Sequence, residues 1–480
     1  MSNVFFKNMM AVSMMLKPLF VIYAVLMKTT LYAGENDVVD KIFDINLPIV
    51  VIETVNGEMP TYEMSNHPWG WGGQSIKNQT KVPGRLQIIL RDNVLYDSGE
   101  YEEDQSGMTI RVRGNTSAYK HDKKPFKIKL QKKTDLLRRG DDQKYKDKNW
   151  LLLKDENLRK NFCFKVNELI GIQWTPAYEY VNVIINGQYH GIYMLVESVK
   201  RNTSCRLNVD KTGFIFEYDI YWWNEDVYVP SPTSLPGDMH YTFKYPDPDQ
   251  LSEERLDYFR NMIRQAELSL SDGTYPDYID VNSFASWILG HDIIGNLDGK
   301  GSNYFLTKID DSDTTKIMMA NMWDTEHMFE MPDDWDAAHN YFFFPGLFSN
   351  ENDTFRRAYK DKWNEVSPTL FNQFKTYLED FSNSDVAKAI DESMPLNNER
   401  WNKDYGTVRQ YIDEAESWLA ERKGWLESHI SQIQTGIHEI PSSDQKEKNY
   451  FYYTLHGQRL NSPQDYHGVY IHHGKKILHK

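Results

Sequence analysis

The sequence predicts an α+β fold with a two-lobed outline: a β-rich N-terminal half, a mainly helical C-terminal half, and a small β appendage at the C-terminal end. Three observations predict it. Between residues 47 and 245, short runs with the two-residue period of strands are separated by clusters of Gly, Pro, Asn and Asp. From Leu251 onward the apolar residues recur mainly at helical spacing. After Ile433 a polar linker with Pro441, Ser442 and Ser443 precedes a tail that opens on Tyr450-Phe451-Tyr452-Tyr453. A chain of 480 residues suits two or three domains, or one large decorated one. Hydrophobic residues make up 40% and aromatics 14%, which supplies a sizeable core and excludes a disordered protein. The net charge of −15 argues against a nucleic-acid-binding face, so no nucleic acid is expected as a partner. A nucleotide ligand needs only local cations and is compatible with that charge.

Residues 1–33 read as an export signal. Lys7 and Lys17 precede an apolar run from Leu19 to Met27, and Ala33 offers a cleavage point before Gly34. The run is short for a membrane span, and no other segment is long and apolar enough. The expectation is an exported protein, periplasmic, cell-surface or extracellular, with no transmembrane helix after signal cleavage. The only cysteines, Cys163 and Cys205, could form one bridge, which spacing does not settle; Cys163 falls inside a helical run, where a small buried side chain is the favoured reading.

Leu47 to Ile52 reads as a buried strand, and Ser65 to Gly84, rich in Gly, Asn, Pro and Trp, as a loop. Arg85 to Leu90 and Met108 to Arg113 follow as strands. Phe126, Ile128 and Leu130 alternate with Lys127 and Lys129, giving one strand an apolar and a cationic face. Lys132 to Lys148 reads as a charged loop. A helix runs from a capping Asp155 to Ile170 and stops at Gly171. Tyr180 to Ile185, the pair Asn186-Gly187 and Tyr189 to Val196 form a hairpin signal. Strands at Gly213 to Tyr218 and Tyr241 to Lys244 come next. Helices at Leu251 to Leu270 and Val281 to Ile294 follow, then strands at Asn303 to Thr307 and Lys316 to Met319. Several amphipathic helices lie beyond Asn352, of which Thr407 to Ile433 is the clearest. Residues 434–448 are the linker, and 449–480 carry two β-like runs, Gly468 to His472 and Lys475 to His479, joined at Gly474.

The chemistry-bearing stretch is Asn296-Leu297-Asp298-Gly299-Lys300-Gly301-Ser302-Asn303-Tyr304, followed by Met322-Trp323-Asp324. An Asp, an Asn five residues on and a later Asp match the spacing of protein-kinase catalytic loops. There one carboxylate takes the proton of an attacking hydroxyl, while an amide oxygen and a second carboxylate hold Mg²⁺ against phosphates. Acidic and amide residues also crowd ordinary turns, so the spacing alone does not decide. Upstream, Arg111 to Ser117 ends a strand in small polar residues that let backbone N–H groups approach phosphates. Two lysines on one strand face, Lys127 and Lys129, are as readily solvated as phosphate-binding. Glu168 on the next helix is placed to pair with one of them or to lie at the surface.

The order Arg113-Gly114-Asn115-Thr116-Ser117, Lys124-Pro125-Phe126-Lys127-Ile128-Lys129-Leu130, Asp155 with Leu158-Arg159-Lys160-Asn161, Asn186-Gly187-Gln188-Tyr189-His190-Gly191-Ile192-Tyr193 with Glu197, Asn296-x-Asp298, Asn303-Tyr304 and Trp323-Asp324 resembles the spore-coat CotH family of atypical, secreted or surface kinases. The resemblance runs from about Leu47 to Ile433. It implies a kinase-like domain over 44–433, with an N-lobe at about 44–245 and a C-lobe at about 246–433, in a two-lobed atypical protein-kinase-like fold. It also implies ATP and Mg²⁺, with Mn²⁺ as a substitute, and a protein substrate that is secreted or on a cell surface. Carried over by residue, Asp298 is the catalytic Asp, and Asn303 and Asp324 are metal ligands. Lys129 is the phosphate-contacting lysine, with Lys127 as second choice. Arg113 and Glu197 are nucleotide contacts, the latter at the end of the hairpin. Glu326 and His327 flank the metal position. The tail resembles C-terminal extensions on exported proteins of Bacteroidetes-type bacteria, so a spore-coat role does not follow from the fold.

Three functions compete on these residues. The first is an exported, Mg²⁺-dependent kinase that moves the ATP γ-phosphate to Ser or Thr of a protein. The second is a catalytically idle kinase-like scaffold acting as a surface binding or adhesion protein, suited to a site where ATP is scarce and to 30 Tyr and 13 Trp. A glycoside hydrolase, with Asp292 and Asp298 as paired carboxylates, has no other support in the sequence.

Overall fold

Seven strands of the N-terminal half close on themselves. The computed structural model describes residues 36–435, apart from 70–72, 141–142, 237–238 and 300–302, together with the strands beyond residue 451. The expected export signal, 1–33, lies outside the described residues. Helix α1 (Asn36–Asp44) leads into β1 (Ile49–Thr54), β2 (Glu63–Asn66), β3 (Gln74–Lys77), β4 (Val82–Leu90), β5 (Asn93–Asp97) and β6 (Met108–Val112). A single turn, α2 (Thr116–Tyr119), precedes β7 (Phe126–Thr134) and β8 (Asp147–Leu153). Helix α3 (Arg159–Ile170) then precedes the hairpin β9 (Tyr178–Ile185) and β10 (Gln188–Glu197). The sheet runs β1-β9-β10-β8-β7-β6-β4 and returns to β1, which pairs in parallel with β9 and antiparallel with β4. Strand β5 hangs on β4. Closure satisfies strand edges that would otherwise invite pairing with another chain.

The period-2 pattern fills the barrel. Val50, Ile52, Leu86, Ile88, Ile110, Ile128, Trp150, Leu152, Val183 and Leu195 belong to one buried cluster, with Ile128 directly opposite Trp150. The alternate residues of β6 and β7, including Arg111 and Lys127, therefore stand on the outer face. Three sequence expectations change here. The stretch from 65 to 84 is not all loop: β2 and β3 pair as a short hairpin and β4 begins at Val82. Strands β5 and β8 were not expected, β8 because its apolar run is flanked by lysines. The β-rich half is a closed barrel, which no local pattern specifies.

The second half builds around another sheet. Strands β11 (Phe214–Asp219), β12 (Tyr228–Pro230) and β13 (His240–Tyr245) are followed by helices α4 (Glu253–Asp272) and α5 (Val281–Ile294), then β14 (Tyr304–Lys308) and β15 (Ile317–Met319). The strand order is β12-β13-β11-β14-β15, so pairing runs across residues 245 and 246: β11 bonds β13 on one side and β14 on the other. Helix α5 is buried on nearly every side, as its all-round apolar sequence requires. Asp280 caps its start through Ser283 N, and Gly295, with φ 55°, ends it. Helices α6 (Phe344–Ser349), α7 (Thr354–Val366), α8 (Leu370–Ser382), α9 (Asp385–Trp401) and α10 (Val408–Gln432) follow, the last opened by a Thr407/Gln410 capping box; α7 and α10 pack against α5, and α9 packs on β10. Among the described residues no helix is long and apolar enough to cross a membrane. Cys163 and Cys205 are both free thiols.

Residues 1–435 and 436–480 are separate compact units. In the second, β16 (Tyr452–Thr454), β17 (Arg459–Leu460), β18 (Gly468–His472) and β19 (Lys475–His479) form an antiparallel sheet in the order β17-β16-β18-β19. The expected turn at Gly474 lies outside the described residues.

Candidate active site

One cleft of about 1240 Å³ collects most of the residues singled out by sequence. The outer face of β6 and β7, strands β11 and β13, the loop after α5 and the segment after β15 all contribute to its lining. Asp298, Asn303, Asp324, Arg113 and Lys127 line it, as do Gly114 to Ser117. Lys129 does not. It is exposed further along β7, opposite Thr109, so the lysine at the cleft is Lys127. Glu197 is also elsewhere: it is 1% exposed, pairs with Arg139 at 2.9 Å, and accepts from the Ala177 N–H. Its charge is consumed by the barrel end, where β10 meets β8 and the Arg139 turn. Glu168 pairs with neither Lys127 nor Lys129; it is exposed and bonds Lys165 one turn back on α3.

The loop after α5 is held at both ends. The Asn296 N–H donates to Asp336 Oδ2 at 2.7 Å, the Leu297 N–H to His327 O at 3.0 Å, and Tyr304 Oη to Gly299 O at 2.6 Å. A Cβ on Gly299 would lie 2.3 Å from Asp336 Oδ1, so only glycine fits there. Asp298, between these anchors, is half exposed to the cleft, with His327 Nε2 at 3.6 Å from its carboxylate. Asn303 and Asp324 both occupy left-handed backbone, φ 68° and 54°. Asn and Asp bear this conformation better than other side chains, and such positions gather at functional sites. The Asn303 N–H donates to Glu217 Oε1 at 3.1 Å, which fixes it beside β11.

The acidic side of the cleft is anchored by a buried lysine. Asp155 accepts the Lys160 N–H at 2.7 Å, the Asn161 N–H at 3.1 Å and the Tyr180 hydroxyl at 2.6 Å, so it caps α3 from four residues before its first turn. This explains why the helix starts at Arg159 and not at Asp155. Burial pushes the Asp155 carboxyl up to about 6. The capped turn aims Lys160 Nζ at Glu326 (2.7 Å) and Asp324 (3.9 Å). The Lys160 ammonium, chiefly, holds Glu326 down to about 2. Asp324 moves the other way: burial and the nearby Glu326 and Asp298 charges raise it, against Lys160 and Arg113. On β11, Glu217 pairs with Lys244 at 2.9 Å, and Asp219 accepts from Tyr221 N (2.7 Å) and Thr242 Oγ1 (3.1 Å). Burial, with Glu217 beside it, pushes Asp219 up to about 7.

The opposite side is cationic. Arg111 and Lys127 are direct cross-strand partners in the β6–β7 ladder. Like charges in that position repel, and among the described residues neither makes a hydrogen bond or ion pair. Lys200 and Lys244 add to the same field, and burial followed by Arg111 and Lys200 lowers the Lys127 ammonium to about 7. Arg113, just past the end of β6, lies in the field of Asp324, Glu217 and Glu326 and so sits between the two sides.

Sequence reasoning passed over several of these groups. Lys160 carries no motif of its own, although the capping Asp155 before it is legible. Glu217 and Asp219 alternate with Phe216 and Tyr218 along one strand, a pattern that puts two carboxylates on one face. Asp292, a candidate for paired-carboxylate hydrolysis with Asp298, is 0% exposed and bonded to His339 and Tyr359, away from the cleft. That pairing does not exist.

A family model described as CotH kinase protein matches residues 110–426. The chain belongs to the CotH kinase protein family. The CotH match begins in β6 and ends in α10, so it contains both sides of the cleft and leaves β1 to β5 outside. No curated protein matches the chain significantly. Among solved structures, the chain is similar to the crystal structure of the Helicobacter pylori proinflammatory kinase CtkA. The identity is 7% and the TM-score 0.29, over 59% of this chain and 91% of that one.

Proposed function

We propose that this CotH-family chain is an exported atypical protein kinase that moves the ATP γ-phosphate to Ser or Thr hydroxyls of a protein, with Mg²⁺ as the metal. The observation that carries the reading is a single cleft with two unpartnered cations, Arg111 and Lys127, facing Asp298, Asn303 and Asp324. Half-buried cations that repel each other and reach a carboxylate only at a distance, Glu225 for Arg111 and Asp247 for Lys127, are costly to hold, and a polyphosphate would supply negative charge in direct contact. The residues fit the metal as well. Mg²⁺ is usually held by one or two carboxylates together with substrate phosphates and water. Among the described residues no group of three His, Cys, Asp or Glu side chains forms a self-sufficient metal cage. Asp324 and the amide oxygen of Asn303 would provide the protein's share, and Mn²⁺ suits the same oxygen ligands.

Bound MgATP would supply the transferable phosphoryl group. The chain's own residues would do the rest: Arg111 and Lys127 bind phosphate oxygens, Arg113 bridges toward the acidic side, and Lys160 keeps Asp324 and Glu326 from repelling each other. Asp298, half exposed at the cleft, would orient the acceptor hydroxyl and receive its proton. The cleft exceeds the roughly 300–1,000 Å³ of ordinary small-molecule pockets, which leaves room for an acceptor beside the nucleotide. Export rests on residues 1–33 and agrees with an acceptor that is secreted or on a cell surface.

The test is transfer of labelled phosphate from γ-labelled ATP to a mixed protein substrate in the presence of Mg²⁺. Asp298→Asn should retain the wild-type melting temperature and lose transfer by about 10²–10⁴-fold. Equal transfer by wild type and variant sinks the assignment.

A further inference from the structure

The loop that carries Asp298 does not hold itself in place. Its first residue, Asn296, donates its N–H to Asp336 Oδ2 at 2.7 Å, and the other Asp336 oxygen accepts from Ala338 N at 2.9 Å. Asp336 is 0% exposed and forms the back wall against which Gly299 is pressed. The backbone of Asp336 is fixed in turn: its N–H donates to Asp292 Oδ1 at 2.9 Å. The Asp292 carboxylate, in α5, also binds His339 Nε2 (2.9 Å) and Tyr359 Oη in α7 (2.7 Å). Helix α10 closes the set. Arg422, fully buried, donates to the carbonyls of Asp292 (2.6 Å), Met331 (2.9 Å), Pro332 (3.1 Å) and Asp334 (2.7 Å), and Trp418 Nε1 donates to Ile293 O at 3.0 Å.

We infer that Asp336, with Asp292 behind it, is a positioning residue for Asp298, and that α10 sets the geometry of the loop through this buried network. Neither Asp336 nor Asp292 lines the cleft, so neither touches a reacting atom. A buried carboxylate is a costly acceptor for two backbone N–H groups that a turn or an uncharged side chain could satisfy. Its retention here coincides with the start of the loop on which the candidate base stands. At Asp292 burial alone would raise the carboxyl, yet His339 and Arg422 hold it below its ordinary value. Two fully buried carboxylates are thereby locked in series between the C-terminal helix and the Asn296 N–H. The network resembles the supporting shell that fixes a reactive group to within fractions of an ångström.

The role rests on the reading of Asp298 as the group that receives the acceptor proton, and two readouts on the full chain separate the two ideas. In Asp336→Asn, one acceptor oxygen becomes a donor facing an N–H group, so the loop should lose its anchor. Amide exchange at Asn296 to Gly299 should accelerate at least tenfold, with β6 and β7 unchanged. The kcat should fall about 100-fold, the effect of an ångström-scale misplacement, while KM for ATP stays within about threefold, because Arg111 and Lys127 sit on the barrel. A merely structural role would lower the melting temperature and leave kcat of the folded protein intact. His339→Leu and His339→Gln provide a gentler pair: glutamine keeps a donor for Asp292 and should restore kcat that leucine loses. Unchanged exchange at Asn296, or unchanged kcat in a loop that exchanges faster, overturns the inference. A wild-type chain that transfers no label overturns the kinase reading instead, and the exchange result still decides whether Asp336 anchors the loop.

Discussion

Replacing Lys127 by Met should make the nucleotide-free protein more stable, and the size of the effect follows from the cleft. The ammonium is lowered from an ordinary 10.5 to about 7 by burial, Arg111 and Lys200. At about 1.4 kcal/mol per tenfold change in proton affinity, holding it charged costs at most about 5 kcal/mol. Side-chain relaxation and cleft water reduce this to about 1–3 kcal/mol. Methionine keeps the unbranched stem that packs along β7 and removes the charge. The sign of the pH dependence is fixed by linkage. The unfolded chain protonates Lys127 up to about pH 10, and the folded chain only up to about pH 7, so wild-type stability from this group rises between those values. The stability gap between Lys127→Met and wild type should therefore be full below about pH 7 and close toward pH 10. Polyphosphate reverses the order. At one hundred times its dissociation constant MgATP adds about 2.7 kcal/mol to the wild type, and the variant should gain little. Urea unfolding at pH 6, 8 and 10, with and without MgATP, measures all of this. A Lys127→Met variant that is less stable than wild type at pH 6 without nucleotide, or a gap that ignores pH, would refute the reasoning.

Other outcomes follow from single contacts. Trp150 is 0% exposed inside the barrel, and Trp150→Ala should cost about 3–5 kcal/mol in urea unfolding; a loss under 1 kcal/mol would mean the barrel interior is not packed around it. Asp324→Asn should leave the nucleotide-free protein as stable as wild type, since it removes a repulsion with Glu326 and Asp298 together with a weak contact to Lys160. The same variant should abolish the Mg²⁺ dependence of ATP affinity in calorimetry; an unaltered Mg²⁺ dependence would remove Asp324 from the metal site.

What the sequence revealed was local. Helix α5 was legible end to end because an Asp cap, a mostly apolar run and a terminal Gly all sit within sixteen consecutive residues. Asn186-Gly187 gave the β9–β10 hairpin because both residues adopt positive φ, 50° and 77°. Barrel closure was hidden because it depends on β1 finding β9, some 130 residues away in sequence, with no local mark of the pairing. The site divides the same way. Asp298, Asn303 and Asp324 show themselves by spacing. Choosing Lys127 over Lys129 needs the curvature of the barrel, which carries one residue into the cleft and the next alternate residue past it. Lys160, Glu217 and Asp336 act through partners 86 to 166 residues distant or through a buried loop contact, and spacing does not report such contacts.

The central claim is that one cleft holds polyphosphate on the Arg111–Lys127 side and metal on the Asn303–Asp324 side. A crystal structure of the full chain with Mg²⁺ and a non-hydrolysable ATP analogue tests it most directly. The account predicts phosphate oxygens within hydrogen-bonding distance of Lys127 and Arg111, with the metal bound by Asp324 and Asn303. An analogue whose phosphates lie elsewhere, or a metal that leaves both Asn303 and Asp324 unligated, would contradict it.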